Sequence, residues 1–356
     1  MIASDFRISI SGIPIGRAHP PQVVAEIGAN HNGNPKLAAQ LIEQIAQTGT
    51  RFVKFQLYTA AELVADPNRI AEFGPPGARS HQPVGKLFDR LSLDLSELND
   101  LFAFARSVGL IPFATPFSKH GIDALVKIGS PAIKIASSDV NYLELLRHAA
   151  STHLPVILSL GKATLGEAEE AVSTLRDSGC HHPILLHCVA AYPAPPQDMN
   201  LLFLKTLQNI FPNCEIGFSD HSLGTTASIV AVALGASLIE KHVTLDRNLD
   251  GPDHWFSADI QELHNLVLSV SAAHQMLGST SKFITPSEAR GRALGIRSLC
   301  ASRDIQAGEI LQDSDLTELR PGGGLPPKMK SAVVGMRLTR PLHRGDCLTW
   351  QHFQMK

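Results

Sequence analysis

Eight short β-rich runs, each followed by a stretch with helical spacing, leave few folds open to this chain. The runs fall at residues 23–27, 52–58, 111–115, 132–137, 155–159, 184–188, 215–219 and 237–242. Between the first two, Leu37, Leu41 and Ile45 recur at helical spacing and stop at Gly49. Further helices are expected over residues 96–108 and, last, Ile260–Leu277. Eight strand–helix units over roughly 255 residues match an α/β (β/α)8 TIM barrel. A doubly wound sheet usually has fewer strands and a G-x-G-x-x-G turn after the first, and "GANHNG" does not supply that turn.

The alternation is interrupted once and ends once. Residues 59–94 carry Pro and Gly and are too polar for a buried loop, so a flap over one end of the fold is expected. After Gly278 the helical period fades. Residues 1–280 read as the barrel domain and 281–295 as a linker. Residues 296–356 read as a small, mostly β domain, too small to be stable without docking on something.

Bulk properties remove several classes of function. The chain has 356 residues, with 31 basic against 33 acidic side chains and no basic–aromatic stripe, which argues against nucleic acid. No apolar run is long enough to span a bilayer, and the first residues lack a signal-peptide pattern. Five cysteines without a C-x-x-C pair suit a reduced, cytoplasmic setting.

In a barrel strand alternate side chains point inward. In "FVKFQLY" the apolar set Val53, Phe55 and Leu57 suits the helix layer, which turns Lys54 and Gln56 inward near the C-terminal rim. Lys134 follows the same logic in "AIKIAS". Glu26, Ser159 and His187 end the first, fifth and sixth strands. Ser219 and His221 share a face at the end of the seventh, Glu240 and His242 at the end of the eighth. A lone strand lysine is more often salt-bridged than catalytic, and a lone histidine more often a core residue than a ligand. Polar groups at one end of nearly every strand are a different matter, because barrel enzymes place their chemistry there. Lys54 and Lys134, beside Ser159 and Ser219, form a small anion trap. His221 and His242, on neighbouring strands, suit an exchangeable Mn²⁺ or Mg²⁺ with open positions, since no cysteine ligand accompanies them. Asp220, of opposite parity, is expected to orient the loop or His221, and Lys241 to be an ion-pair partner. His181, His182 and Cys188 read as structural.

The motifs "AEIGANHNG", "VKFQ", "ATPF", "KIASSD", "LHC…YPAP", "FSDHSLG", "EKHVTLDR" and "GPDHWFS" resemble, in order and spacing, the N-acetylneuraminate (sialic acid) synthase family. The closing segment, with "LRPGGG" and "VVGMRLTRPLHRGD", is similar to its SAF (antifreeze-like) domain. The resemblance implies condensation of phosphoenolpyruvate with an open-chain N-acetylated hexosamine, N-acetylmannosamine in the type reaction. It implies that Lys54, Lys134, Ser137, Ser159 and Ser219 hold phosphoenolpyruvate. His221 and His242 would bind the metal, and Glu26 would transfer a proton or hydrogen-bond water or sugar. Gln56, Asp139, Tyr192 and Asp253 would meet the sugar hydroxyls. Arg320 would reach the N-acyl group in the partner's site of a domain-swapped homodimer. Ser138-Asp139 stands where several members carry Gly-Glu, and Ala190 where some carry a polar residue; both bear on the acceptor. Within the class, a 2,4-diacetamido acceptor would give legionaminate or pseudaminate. A barrel acting on a phosphorylated aldose needs a second basic cluster, and none is evident. A non-catalytic carbohydrate- or ice-binding protein is the rival from another class, and the polar rim argues against it.

Overall fold

Residues 8–75 and 77–354 are described by a computed structural model. The outermost parts of the two expected domains, residues 1–7 and 355–356, lie outside the described residues, as does Pro76 of the expected flap. The chain divides into two units, Met1–Gly278 and Ser279–Lys356, close to the boundary expected at residue 280.

In the first unit eight parallel strands close into a barrel in chain order. They are Gln22–Glu26, Phe52–Leu57, Ile111–Pro116, Ile133–Ile135, Val156–Ser159, Ile184–Cys188, Glu215–Asp220 and Leu238–His242. The register sets the rim: His242 lies opposite Glu26, Glu26 opposite Lys54, and Ser219 opposite Glu240. Side-chain alternation divides each strand between two cores. Val23, Ala25, Val53, Phe55, Ile133 and Ile135 face outward and pack with helix residues such as Leu41, Ile42 and Ile45. Helix starts are fixed locally, by reciprocal capping boxes at Asp94 with Glu97 and at Thr164 with Glu167.

Inward-facing Val24, Phe52, Phe113, Ile157, Leu186 and Leu238 form the lower barrel interior. They pack with Ile8, Ile10, Ile13 and Ile15 of a hairpin, Ile8–Ile10 paired antiparallel with Ile13–Ile15. Ser11 and Gly12 turn this hairpin with φ of 50° and 80°, the two-residue geometry whose twist matches the strands. The hairpin is additional to the eight expected strands, and it floors the barrel.

The expected flap at 59–94 is folded. It holds a helix Ala60–Leu63, a hairpin of Ile70–Phe73 with Ser80–Pro83, and a helix Val84–Leu91. Leu87 and Leu91 pack against Ala29, with Ala71 and Phe73 beside them, which anchors the segment to the turn after the first barrel strand.

The second unit is built on Ser298–Ala301 paired antiparallel with Leu316–Leu319, around Leu299, Ile305, Leu311, Val333, Leu338 and Leu348. The expected linker differs from plain coil, since Pro286–Gly295 is a helix started by Thr285 and Glu288. None of its residues is buried, so it carries no apolar stripe from which a helical period could be read.

Gly217 faces inward on the seventh strand, and a Cβ there would meet Leu238 O at 2.5 Å and Leu186 Cδ2 at 2.6 Å. Gly217→Ala is therefore expected to destabilise the barrel by about 1–3 kcal/mol, read as a lowered denaturant midpoint at unchanged slope.

Candidate active site

Above the apolar floor the inward positions turn polar, and one carboxylate organises them. Glu240 Oε1 lies 3.7 Å from Lys54 Nζ and 3.6 Å from Lys134 Nζ. Ser219 Oγ donates to the same oxygen at 3.1 Å. Lys54 Nζ also sits 2.9 Å from Glu26 Oε2 and donates to Thr115 Oγ1 at 3.1 Å. Gln56 Nε2 donates to Glu26 Oε1 at 3.0 Å. These groups are all but out of solvent: Glu26 is 1% exposed, Lys54 and Lys134 3% each.

Burial and charge divide the ionisation states. Glu240 is held down at about 2: burial opposes its charge, but Lys134, Lys54, His242 and His221 outweigh it. Burial raises Glu26, and Lys54 only partly offsets that. Lys54 ends above its ordinary value, because Glu240 and Glu26 overcome its desolvation. Lys134 ends below it, since burial dominates and Glu240 compensates in part. Burial pushes Asp253 up to about 7, with the nearby Glu26 adding to the shift. It also lowers His221, and lowers His242 well below the ordinary imidazole value. Both rings are therefore neutral near pH 7.

The two imidazoles meet as their strands suggest, with ring centroids 5.6 Å apart. His221 Nδ1 is 2.8 Å from Val189 O, an acceptor, so Nδ1 carries the proton and Nε2 keeps a lone pair. His242 Nδ1 is buried without a hydrogen-bond partner, with Asp253 Oδ2 at 3.6 Å. Tyr192 stacks over His221 at 4.3 Å between centroids. Asp220 orients the loop: it accepts from Ser222 N, Ser222 Oγ and Ser228 Oγ and pairs with buried Lys241 at 3.1 Å.

The resulting cavity holds about 390 Å³. Glu26, Lys54, Gln56, Lys134, Ser137, Ser159, Tyr192, Ser219, His221, His242 and Asp253 all line it. Ser159 Oγ is buried there with no hydrogen-bond partner. Asp139 is not among the lining groups; it ends the short 3₁₀ turn Ser137–Asp139, and Ser138 faces the cavity in its place. Burial pushes the Asp139 carboxyl up to about 6. Arg320 belongs to the second unit, where it is exposed.

His187 corrects the expectation for the sixth strand. Its ring faces the helix layer, with Nε2 2.8 Å from Met199 O and Phe203 and Phe218 alongside. Cys188, expected to be structural, lines the cavity instead, 3.2 Å from Ser137 Oγ. Thr115, Glu240, Lys162, Phe88 and Phe117 also line the cavity without having been assigned a contact. Phe88 and Phe117 form an apolar wall braced by Tyr58, at 5.5 and 5.7 Å between ring centroids.

Residues of "GANHNG" act through the neighbouring loop. Asn30 Nδ2 donates to Val243 O at 2.9 Å and to Ser257 Oγ at 2.8 Å. Ser257 Oγ donates in turn to Asp253 O at 2.6 Å, and Asn32 Nδ2 to Asp250 O at 2.8 Å. These bonds fix the turn that presents Asp253 to His242.

The fold and rim define a (β/α)8 barrel whose buried lysines, paired with Glu240, lie beside two neutral imidazoles. The chain belongs to the NeuB family, which it matches over residues 41–282. Residues 296–354 match the SAF domain. The chain is 37% identical over 350 residues to the N,N'-diacetyllegionaminic acid synthase of Legionella pneumophila, with 97% of this chain and 98% of that protein covered. It is 35% identical to the pseudaminic acid synthase of Helicobacter pylori, covering 93% and 97% respectively. Among solved structures, the N-acetylneuraminic acid (sialic acid) synthetase of Leptospira borgpetersenii in complex with citrate superposes with a TM-score of 0.73 at 34% identity, over 80% of this chain and 94% of that one. No helix among the described residues is long and apolar enough to cross a membrane.

Asp220 and Lys241 are 0% and 2% exposed, so removing one strands the other. Asp220→Ala is expected to cost about 3–5 kcal/mol in a denaturation measurement.

Proposed function

We propose that the chain is a nonulosonic acid synthase that condenses phosphoenolpyruvate with an open-chain N-acylated hexosamine. The observation that carries this reading is the buried pair Lys54 and Lys134 around Glu240, with the unpartnered Ser159 hydroxyl in the same cavity. A phosphate and a carboxylate both suit that seat. C3 of phosphoenolpyruvate bonds to the aldehyde carbon, and the aldehyde oxygen takes a proton. Water adds to C2, the C2–O bond to phosphorus's oxygen breaks, and inorganic phosphate leaves a 2-keto acid. Lys54, Lys134, Ser137, Ser159 and Ser219 hold phosphoenolpyruvate. Glu26, raised by burial, suits a group that takes up and gives back a proton. Gln56, Asp253 and Tyr192 face the acceptor, and Asp139 reaches it only if the 137–139 turn adjusts.

His221 and His242 fit a divalent ion, Mn²⁺ or Mg²⁺. Both are neutral, and the buried Nδ1 of His242 has no hydrogen-bond partner. Among the described residues no group of three or more His, Cys, Asp or Glu could hold a metal ion, so an ion there would rest on the two imidazoles with substrate or water completing its shell. When bound, such a cation supplies Lewis acidity to a carbonyl oxygen. The reading places the chain in the cytoplasm, as a domain-swapped homodimer in which Arg320 touches the partner's acceptor.

A 2,4-diacetamido acceptor is the favoured subclass. The legionaminic and pseudaminic acid synthases above support it, and the Phe88–Phe117 wall offers an apolar surface for a second acyl methyl.

Incubation with phosphoenolpyruvate, Mn²⁺ and a panel of mono- and diacetamido hexoses is expected to release phosphate, fastest with a diacetamido sugar. Absence of release with every sugar overturns the reading. His242→Ala is expected to lower kcat about 100-fold or more, beyond rescue by excess Mn²⁺. Arg320→Ala is expected to raise the acceptor KM about 10-fold, with the KM for phosphoenolpyruvate little changed; equal rises in both would place Arg320 elsewhere.

A further inference from the structure

Two cysteines of the second unit face each other without being joined. Cys300 and Cys347 are opposed in an isolated antiparallel bridge. Ala301 N donates to Asp346 O at 2.9 Å, and Leu348 N donates to Leu299 O at 2.8 Å. The flanking residues thus make the hydrogen bonds, and the cysteines occupy the non-hydrogen-bonded position of the pair. Cα atoms at such positions lie about 4.5 Å apart, inside the disulfide range of about 4.4–6.8 Å. The Sγ atoms are already 2.9 Å apart. Cys300 is fully buried, whereas Cys347 is partly open to solvent.

We propose that Cys300 and Cys347 form a reversible dithiol–disulfide site, closed by exchange with a small-molecule disulfide of the glutathione type. The Cys347 thiolate attacks one sulfur of that disulfide, forming a mixed disulfide and expelling one thiolate. Cys300 then gives up its proton and attacks the Cys347 sulfur. The mixed bond breaks, the second small thiol leaves, and two protein thiols have been oxidised against one external disulfide reduced. The partly open Cys347 thiol reacts first because the fully buried Cys300 is shielded from the reagent. Burial, together with Cys347 beside it, pushes the Cys300 thiol up to about 11, which also disfavours it as the first nucleophile. Its placement against Cys347 makes the second step intramolecular and favours closure over a lasting mixed disulfide.

The bond would brace a defined piece of chain. Cys347 Sγ lies 3.9 Å from Pro321 O, and a Cβ on Gly324 would meet Cys347 Cβ at 2.9 Å. The turn that follows Arg320 therefore packs directly on this sulfur pair. The site stands on this geometry alone, so its test is chemical and independent of the proposed synthase activity.

The full chain is incubated with oxidised glutathione, or with dithiothreitol as control, then denatured, alkylated and mapped by mass spectrometry. The expected result is loss of two of the five alkylatable thiols, with the Cys300 and Cys347 peptides cross-linked and dithiothreitol restoring both. Cys300→Ser is expected to stop at glutathione bound to Cys347, and Cys347→Ser to leave position 300 unmodified. Five alkylated thiols after oxidation, a persistent mixed disulfide in the parent chain, or cross-links to other cysteines would each overturn the proposal.

Discussion

The Glu240 carboxylate, lodged between two lysines, is the interaction on which the upper barrel depends. Taking an ammonium or a carboxylate out of water costs several kcal/mol even after relaxation. Lys54 and Lys134 are both buried, and Glu240 is the acid within 4 Å of both. It lets two cations stand ready in the interior without a bound anion. The same oxygen receives the Ser219 hydroxyl and so sets the direction of a neighbouring donor. Preorganisation of this kind places the reorganisation cost in folding rather than in binding.

Glu26 completes the balance in a different way. Burial, with the ionised Glu240 adding to it, drives this second carboxylate toward its protonated form against the pull of Lys54. Two acids on neighbouring strands are thus shifted in opposite directions, Glu240 down and Glu26 up. Asp253 follows Glu26, raised by burial and by that neighbour.

How much of this was legible follows from where each residue stands. Lys54, Lys134 and Ser219 were readable because each is flanked by apolar residues of the opposite parity or follows one, which assigns a direction, and His242 shares the parity of Glu240 and Leu238 on its strand. The sixth strand, "ILLHC", is apolar on both faces, as buried parallel strands are, so nothing marked Cys188 rather than His187 as the inward residue. Asp139 lies past the strand end on a 3₁₀ turn, where two-residue alternation no longer sets direction. Phe88, Phe117 and Lys162 arrive from the segments above the strands, and only tertiary packing places them. The floor hairpin escaped because two three-residue strands fall below the length at which a pattern can be counted.

That floor has a consequence for traffic. Ile10 and Ile15, each 1% exposed, pack on the inward apolar residues and close the lower end, so among the described residues the way into the chamber runs from the C-terminal rim. On the proposed reading, an anion seated on the buried lysines would lie deeper than an acceptor beside Phe88 and Tyr192, and would have to enter before it. The hairpin lines no part of the cavity, yet under that reading it would impose a queue.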